Sequence, residues 1–214
     1  MSTPTVDLLV LAGGRGERLG GHDKAALVIG GRTLLDRVLD ASSLLGGGVV
    51  VVGDTPVPEG VVRTVEDPPD GGPVAGIAAG LAALAQGFPA AWVAVVAVDQ
   101  PAALPALTAL HAALPGLPDD VDAVSHADPG GHRQWLLAVY RRAALEAALA
   151  ALPGPRHTSV RRLVADLAWH LVEQGAEHVG DVDTWAAAAE WERRLGGARM
   201  GADGRGRRPG TEEV

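Results

Sequence analysis

The sequence predicts an α/β fold: a three-layer α/β/α sandwich around a Rossmann-like, mostly parallel sheet. Three observations carry that expectation. Short apolar runs at 6–11, 49–52, 61–65 and 92–98 have the length and composition of strands buried on both faces. Stretches with apolar residues at helical spacing separate them, so strand and helix alternate. A glycine-rich, basic loop follows the first run, where an open parallel sheet holds its ligand at the carboxyl ends of its strands.

Each element follows in order. Val6 to Leu11 is the first strand. Thr33 to Leu45 reads as one helix, with Leu34, Leu35, Val38 and Leu39 on one face and Thr33 and Asp36 placed like a capping box. Val49 to Val52 and Val61 to Val65 are strands, Val74 to Gln86 is a helix, Trp92 to Val98 a strand, and Pro105 to Leu114 a helix. Beyond this point the pattern is mixed: Ala123 to His126 and Leu136 to Tyr140 read as strands, Arg141 to Leu152 and Ser159 to Leu167 as helices, and Trp185 to Leu195 as the last helix. Residues 1–195 are expected to form one domain, and 196–214, which lack apolar periodicity, a disordered tail.

Composition bounds the function. At 214 residues and 47% hydrophobic, the chain can bury one core, packed mainly with small aliphatics because aromatics are 3%. The net charge of −8 opposes binding to nucleic acid. There is no cysteine, hence neither a disulfide framework nor a thiolate nucleophile. No secretory start and no apolar run of spanning length is present, so no membrane association and a cytoplasmic location are expected.

The loop itself, Ala12-Gly13-Gly14-Arg15-Gly16-Glu17-Arg18-Leu19-Gly20-Gly21-His22-Asp23-Lys24, has the chemistry of a phosphate cradle. Glycines let successive N–H groups face one concavity, and Arg18 and Lys24 can stabilise charge on a leaving pyrophosphate. Two familiar nucleotide motifs are excluded by spacing. The dinucleotide fingerprint fails because Leu19 stands where its third glycine belongs, and the P-loop fails because Lys24 lies between Asp23 and Ala25. Asp99 ends an apolar strand, with Pro101 turning the chain outward. A nucleoside triphosphate arrives with Mg2+, which takes one or two protein carboxylates. Asp99 is the first candidate ligand and Asp183 the second, although Asp183-Thr184 precedes a helix, so Asp183 reads equally as a cap. The seven histidines show no metal-binding spacing.

Four ordered blocks then carry a family resemblance: Leu11-Ala12-Gly13-Gly14 with Arg18 and Asp23-Lys24; Glu66-Asp67 followed by Gly72-Pro73-Val74-Ala75-Gly76; Asp99-Gln100-Pro101; and Asp181-Val182-Asp183-Thr184. Over residues 6 to 195 the chain resembles the molybdenum cofactor guanylyltransferases, nucleotidyltransferases with the fold of the nucleotide-diphospho-sugar transferases. The resemblance implies transfer of GMP from GTP to the terminal phosphate of molybdopterin with Mg2+, and it divides the domain into a nucleotide-binding half, about 6–101, and an acceptor-binding half, about 102–195. Other cofactor-biosynthesis proteins or the receiving molybdoenzymes are further partners it suggests. Carried onto this sequence, it gives a nucleotide site of Leu11, Ala12, Gly13, Gly14, Lys24, Asp67 and Asp99, with Lys24, Arg18 and Asp99 catalytic and Asp99 and Asp183 on the metal. His132, Gln134, Ser159 and Arg161, with Arg156 and Arg162 nearby, could contact an anionic acceptor. Leu19 replaces the family's usual methionine, Trp135 stands at a usual proline, and Gly53-Asp54 replaces a polar residue after the second strand. Two other readings stay open: a sister enzyme using CTP or GTP with another phosphorylated acceptor, and a nucleotide-binding protein without catalysis.

Overall fold

The computed structural model describes residues 3–13, 23–128 and 130–203, with side chains to Leu195. Its centre is a seven-stranded sheet of order β5-β4-β1-β6-β8-β7-β9. Here β1 is Val6–Leu11, β4 Gly46–Val52, β5 Val62–Thr64, β6 Trp92–Ala97, β7 Ala123–Ala127, β8 Arg133–Arg141 and β9 Trp169–Leu171. β5, β4, β1 and β6 run parallel, and β8 is the antiparallel strand, pairing with β6 on one side and β7 on the other.

Alternation along the strands builds the two outer layers. Leu8 and Val10 of β1 face one side with Val51, Ala94 and Val96, where α1 (Leu34–Leu39), α2 (Ser42–Leu45), α4 (Ala103–Ala113) and α7 (Trp185–Asp203) supply Leu34, Val38, Leu45, Leu107 and Trp191. Leu9 and Leu11 face the other side with Val50, Val52 and Val95, where α3 (Pro73–Leu84), α5 (Arg142–Ala150) and α6 (Val160–Leu163) supply Ile77, Leu81, Leu145 and Leu163. Each such fully buried aliphatic contributes about 1.5–3 kcal/mol. The expected sandwich and mostly parallel sheet are therefore present. Among the described residues no helix is long and apolar enough to cross a membrane.

Several local expectations are corrected. The predicted helix 33–45 is two helices. Thr33 does cap it, accepting from Asp36 N at 3.0 Å, but Arg32 holds the Asp40 carboxylate, and the chain leaves the helix there before restarting at Ser42. Val28–Ile29 (β2) and Arg32–Thr33 (β3) form a small hairpin whose turn glycines, Gly30 and Gly31, have φ of 59° and 73°, as a two-residue turn of this hand requires. α6 stops at Leu163, with the Val164 carbonyl taken by the Trp169 indole N–H at 3.4 Å while that ring packs edge-on against Tyr140 at 5.5 Å. α7 continues to Asp203, so 196–203, expected in a disordered tail, are helical; no proline breaks the sequence before Pro209. Residues 204–214 lie outside those described.

Candidate functional site

The sheet's carboxyl edge gathers the motif residues. Ala12 N donates to the Val52 carbonyl at 2.8 Å and Val98 N to that of Leu11 at 3.0 Å, so the ladder continues past the strand ends and delivers Gly13, Gly53 and Asp99 to one rim. Gly53 has φ 153°, and a Cβ there would lie 2.8 Å from the Ala12 carbonyl carbon. That contact gives a physical reason for glycine after the second strand: a side chain would displace the start of the phosphate loop.

Lys24 is placed from both sides. Asp23 caps the 3-10 turn Lys24–Ala26 by accepting from Ala25 N at 2.9 Å, and the hydroxyl of the buried Thr55 donates to the other Asp23 oxygen at 3.0 Å. Lys24 Nζ then donates to Asp99 Oδ2 at 3.0 Å and Asp183 Oδ1 at 2.5 Å. Partial burial works against the Lys24 charge, but the hydrogen bonds and charges of Asp183 and Asp99 outweigh it, leaving the ammonium harder to deprotonate than usual. Val182 N donates to the Asp99 carbonyl at 2.9 Å, which brings the last motif beside the third. Thr184, whose hydroxyl accepts from Ala187 N at 3.1 Å, caps α7, so the cap reading of Asp183 gives way to one in which its carboxylate faces Lys24. Asp181 is the neighbour that motif spacing missed. Desolvation, then the charges of Asp183 and Asp99, push its carboxyl above the ordinary value, with Lys24 pulling the other way.

Two carboxylates converging on one cation suit a Mg2+ ion, whose hard oxygen preference is met by one or two protein ligands and water. No group of three or more metal-binding side chains occurs among the described residues, so Asp99 and Asp183 are a pair rather than a closed cage.

Beside Lys24 opens a cleft of about 420 Å³. Leu11, Ala12, Gly13, Lys24 and Asp99 line it, as the motif reading expects. Its other wall is Glu66, Asp70, Gly72, Pro73 and Gly76, from the turn before α3 and that helix's first turn. Asp67, the expected acidic residue, is exposed, and its neighbour Glu66, just before the chain bends at 67–69, is half-buried and lines the cleft. Arg18 and Gly14 lie outside the described residues.

The acceptor-side candidates are scattered. His132 is exposed on the turn between β7 and β8, its backbone N donating to Asp128 Oδ1 at 2.9 Å, and Gln134 donates to the His132 carbonyl at 3.3 Å. Ser159 caps α6, accepting from Arg162 N at 3.3 Å, and Arg161 is exposed on that helix. Arg156 is engaged elsewhere: its guanidinium donates to the Pro68 and Pro69 carbonyls. None of these lines the cleft, although Leu136 of the same β8 strand does.

Comparison with known proteins places the chain in a family. A molybdenum cofactor guanylyltransferase of Rhodopseudomonas palustris is 38% identical over 109 residues, 46% of this chain and 49% of that one, so the match spans about half of that relative. A probable molybdenum cofactor guanylyltransferase of Chloroflexus aggregans is 37% identical over 176 residues, 79% of this chain and 80% of the other. The crystal structure of molybdopterin-guanine dinucleotide biosynthesis protein A from Archaeoglobus fulgidus superposes with a TM-score of 0.62 at 19% identity, covering 88% of this chain and 98% of that chain, a likeness of fold. The MobA-like NTP transferase domain matches residues 8–178, and the chain belongs to that family.

Proposed function

We propose that this chain transfers GMP from GTP to the terminal phosphate of molybdopterin or the molybdenum cofactor, with Mg2+, releasing pyrophosphate. The observation that carries the reading is the bridge from Lys24 Nζ to Asp99 and Asp183 at the mouth of a cleft on the sheet's carboxyl edge. The names of the curated relatives support guanylyl transfer to this acceptor.

In the reaction an oxygen of the acceptor phosphate bonds to the α-phosphorus of GTP, the bridging P–O bond to the β-phosphate breaks, and pyrophosphate leaves with that electron pair. A phosphate monoester is already ionised at neutral pH, so the chain has no need to supply a nucleophile or a base. Its work is orientation and cancellation of charge. Lys24, held as an ammonium by its surroundings, serves the β- and γ-phosphates, and Arg18 is assigned to the same task. Asp99 and Asp183 would hold Mg2+, which supplies charge neutralisation on the triphosphate. Glu66 and Asp70 offer carboxylates to the N–H donors on the guanine edge, and Asp67, next in sequence to Glu66, is a further candidate for the nucleotide. His132, Gln134, Ser159 and Arg161 are the candidates for the acceptor.

The test is a screen of the four nucleoside triphosphates for pyrophosphate release with molybdopterin, with and without Mg2+. Release with GTP, dependent on both acceptor and metal, is the expected result. Release with CTP instead assigns the chain to the sister cytidylyl reaction, and binding without turnover assigns it to a non-catalytic role.

A further inference from the structure

The base-facing wall of the cleft is fastened by a loop distant in sequence. The turn 66–72 presents Glu66, Asp70 and Gly72 to the cleft, while its outward carbonyls are held by residues 156 and 157. Arg156 donates through Nη1 to the Pro68 carbonyl and through Nη2 to that of Pro69 at 3.3 Å, and His157 N donates to the Gly71 carbonyl at 2.8 Å. Backbone on both sides of this seam is left-handed without glycine: Asp70 has φ 61° and His157 φ 54°, the two such non-glycine residues among those described. Residues hold this unfavourable conformation only where their surroundings over-determine it. The fit is also close, since a Cβ on Gly71 would lie 3.1 Å from Arg156 Nη1 and 2.6 Å from the Ala75 Cβ.

We propose that Arg156 is a positioning residue for the base-selecting turn 66–72, so that nucleotide choice is governed in part from the loop that leads into α6. The inference rests on the nucleotidyltransfer reading above and deepens it. A planar guanidinium can serve two adjacent carbonyls with two diverging N–H donors, whereas a lysine ammonium offers one point of charge on a flexible stem. Losing that grip frees the turn to relax its left-handed residue and carries Glu66 and Asp70 away from the base. Lys24 and Asp99 stand on separate supports, Asp23 with Thr55 for the first and Val182 N for the second, and stay in place.

Calorimetric titration of the full chain with GTP, CTP, ATP, UTP and inorganic tripolyphosphate tests it, with melting temperature followed in parallel. Arg156→Ala is expected to weaken GTP binding about tenfold and to compress the preference for GTP over the other bases by a similar factor, with tripolyphosphate affinity held within about twofold. Arg156→Lys is expected to fall between, and it serves as the reporting variant if the alanine protein does not fold. His157→Gly, which accepts φ 54° and keeps the N–H, is expected to retain wild-type affinity and ranking. GTP affinity and base ranking unchanged in both Arg156 variants would overturn the proposal, as would an equal loss of tripolyphosphate binding, the mark of a general structural defect. If wild-type chain binds none of the nucleotides, the nucleotidyltransfer reading itself falls; if it binds GTP and the Arg156 variants bind it as well, this inference falls alone.

Discussion

The two ends of β1 and β6 each carry an ionic cluster, and the clusters are built to opposite ends. At the amino end Asp7, inside the first apolar strand, pairs with Arg142, and their side chains are 2% and 9% exposed. Every strong demand there is met within the chain: Asp7 accepts from Gly48 N at 2.7 Å and Ala90 N at 2.9 Å, and Arg142 also donates to the Ala90 carbonyl at 2.9 Å. At the carboxyl end Lys24 and Asp99 are 20% and 19% exposed and Asp183 43%, with Asp181 adding a further negative charge nearby. The closed cluster joins β1, β4, the segment leading into β6, and α5. The open one is partly exposed, with Lys24 and Asp99 at the rim of a cleft. An ion pair is thus a structural device when dry and saturated by backbone partners, and a candidate site when exposed at the rim of a cleft.

That contrast can be broken most forcefully at the closed end. Asp7→Ala leaves Arg142 buried without its carboxylate and two backbone N–H groups without an acceptor, and the expected cost is about 3–5 kcal/mol of stability. Denaturant titration measures it, and turnover per folded molecule is expected to match wild type. A cost near zero would mean that water or another carboxylate replaces Asp7, and the comparison would lose its structural arm.

At the open end the expected signs exchange. Asp99→Asn keeps the side chain's shape at a strand end where water can solvate it, so stability should change by less than about 1 kcal/mol. Turnover with saturating triphosphate is expected to fall about 10²–10³-fold, the usual scale for removing one charge-stabilising group. Steady-state kinetics beside a melting curve decides it. Full activity would remove Asp99 from the chemistry.

How far the sequence could show this difference is instructive. The open cluster was legible because its members stand at boundaries between segments: Lys24 closes a glycine-rich loop, Asp99 follows β6, and Asp183 precedes a helix. Parallel strands buried on both faces appear as continuous apolar runs, so the sheet and its carboxyl edge followed. Asp7 sits inside the apolar run Val6 to Leu11, where a buried charge needs a buried partner that the run itself does not name. The Gly30-Gly31 turn was a hairpin signal left unused. Thr55 and Arg156 had no signal: Thr55 reaches a side chain 32 residues away, and Arg156 grips backbone carbonyls 88 and 87 residues away, groups that every residue type carries. Glu66 and Asp70 line the cleft beside the exposed Asp67, because a motif fixes a segment and leaves open which of its side chains faces inward.

The finest test sets like charge against like charge at the open end. The Asp181 carboxyl lies above its ordinary 3.8, chiefly through desolvation and then through Asp183 and Asp99. A group whose folded value is raised adds stability below its unfolded value and loses that contribution as pH rises through the folded one. At neutral pH the ionised Asp181 therefore weakens the fold, and Asp181→Asn is expected to stabilise the chain by about 0.5 kcal/mol, a figure kept small because solvent screens this exposed position. The gain should fade as pH falls toward 3.8, where the wild-type carboxyl takes up its proton and resembles the amide. Denaturant titrations of both proteins at pH 7 and pH 4 measure the difference. A variant less stable than wild type at pH 7 would show that Asp181 is held by attraction; a gain confined to neutral pH shows that the ionised Asp181 carboxylate opposes folding, through desolvation first and the charges of Asp183 and Asp99 second.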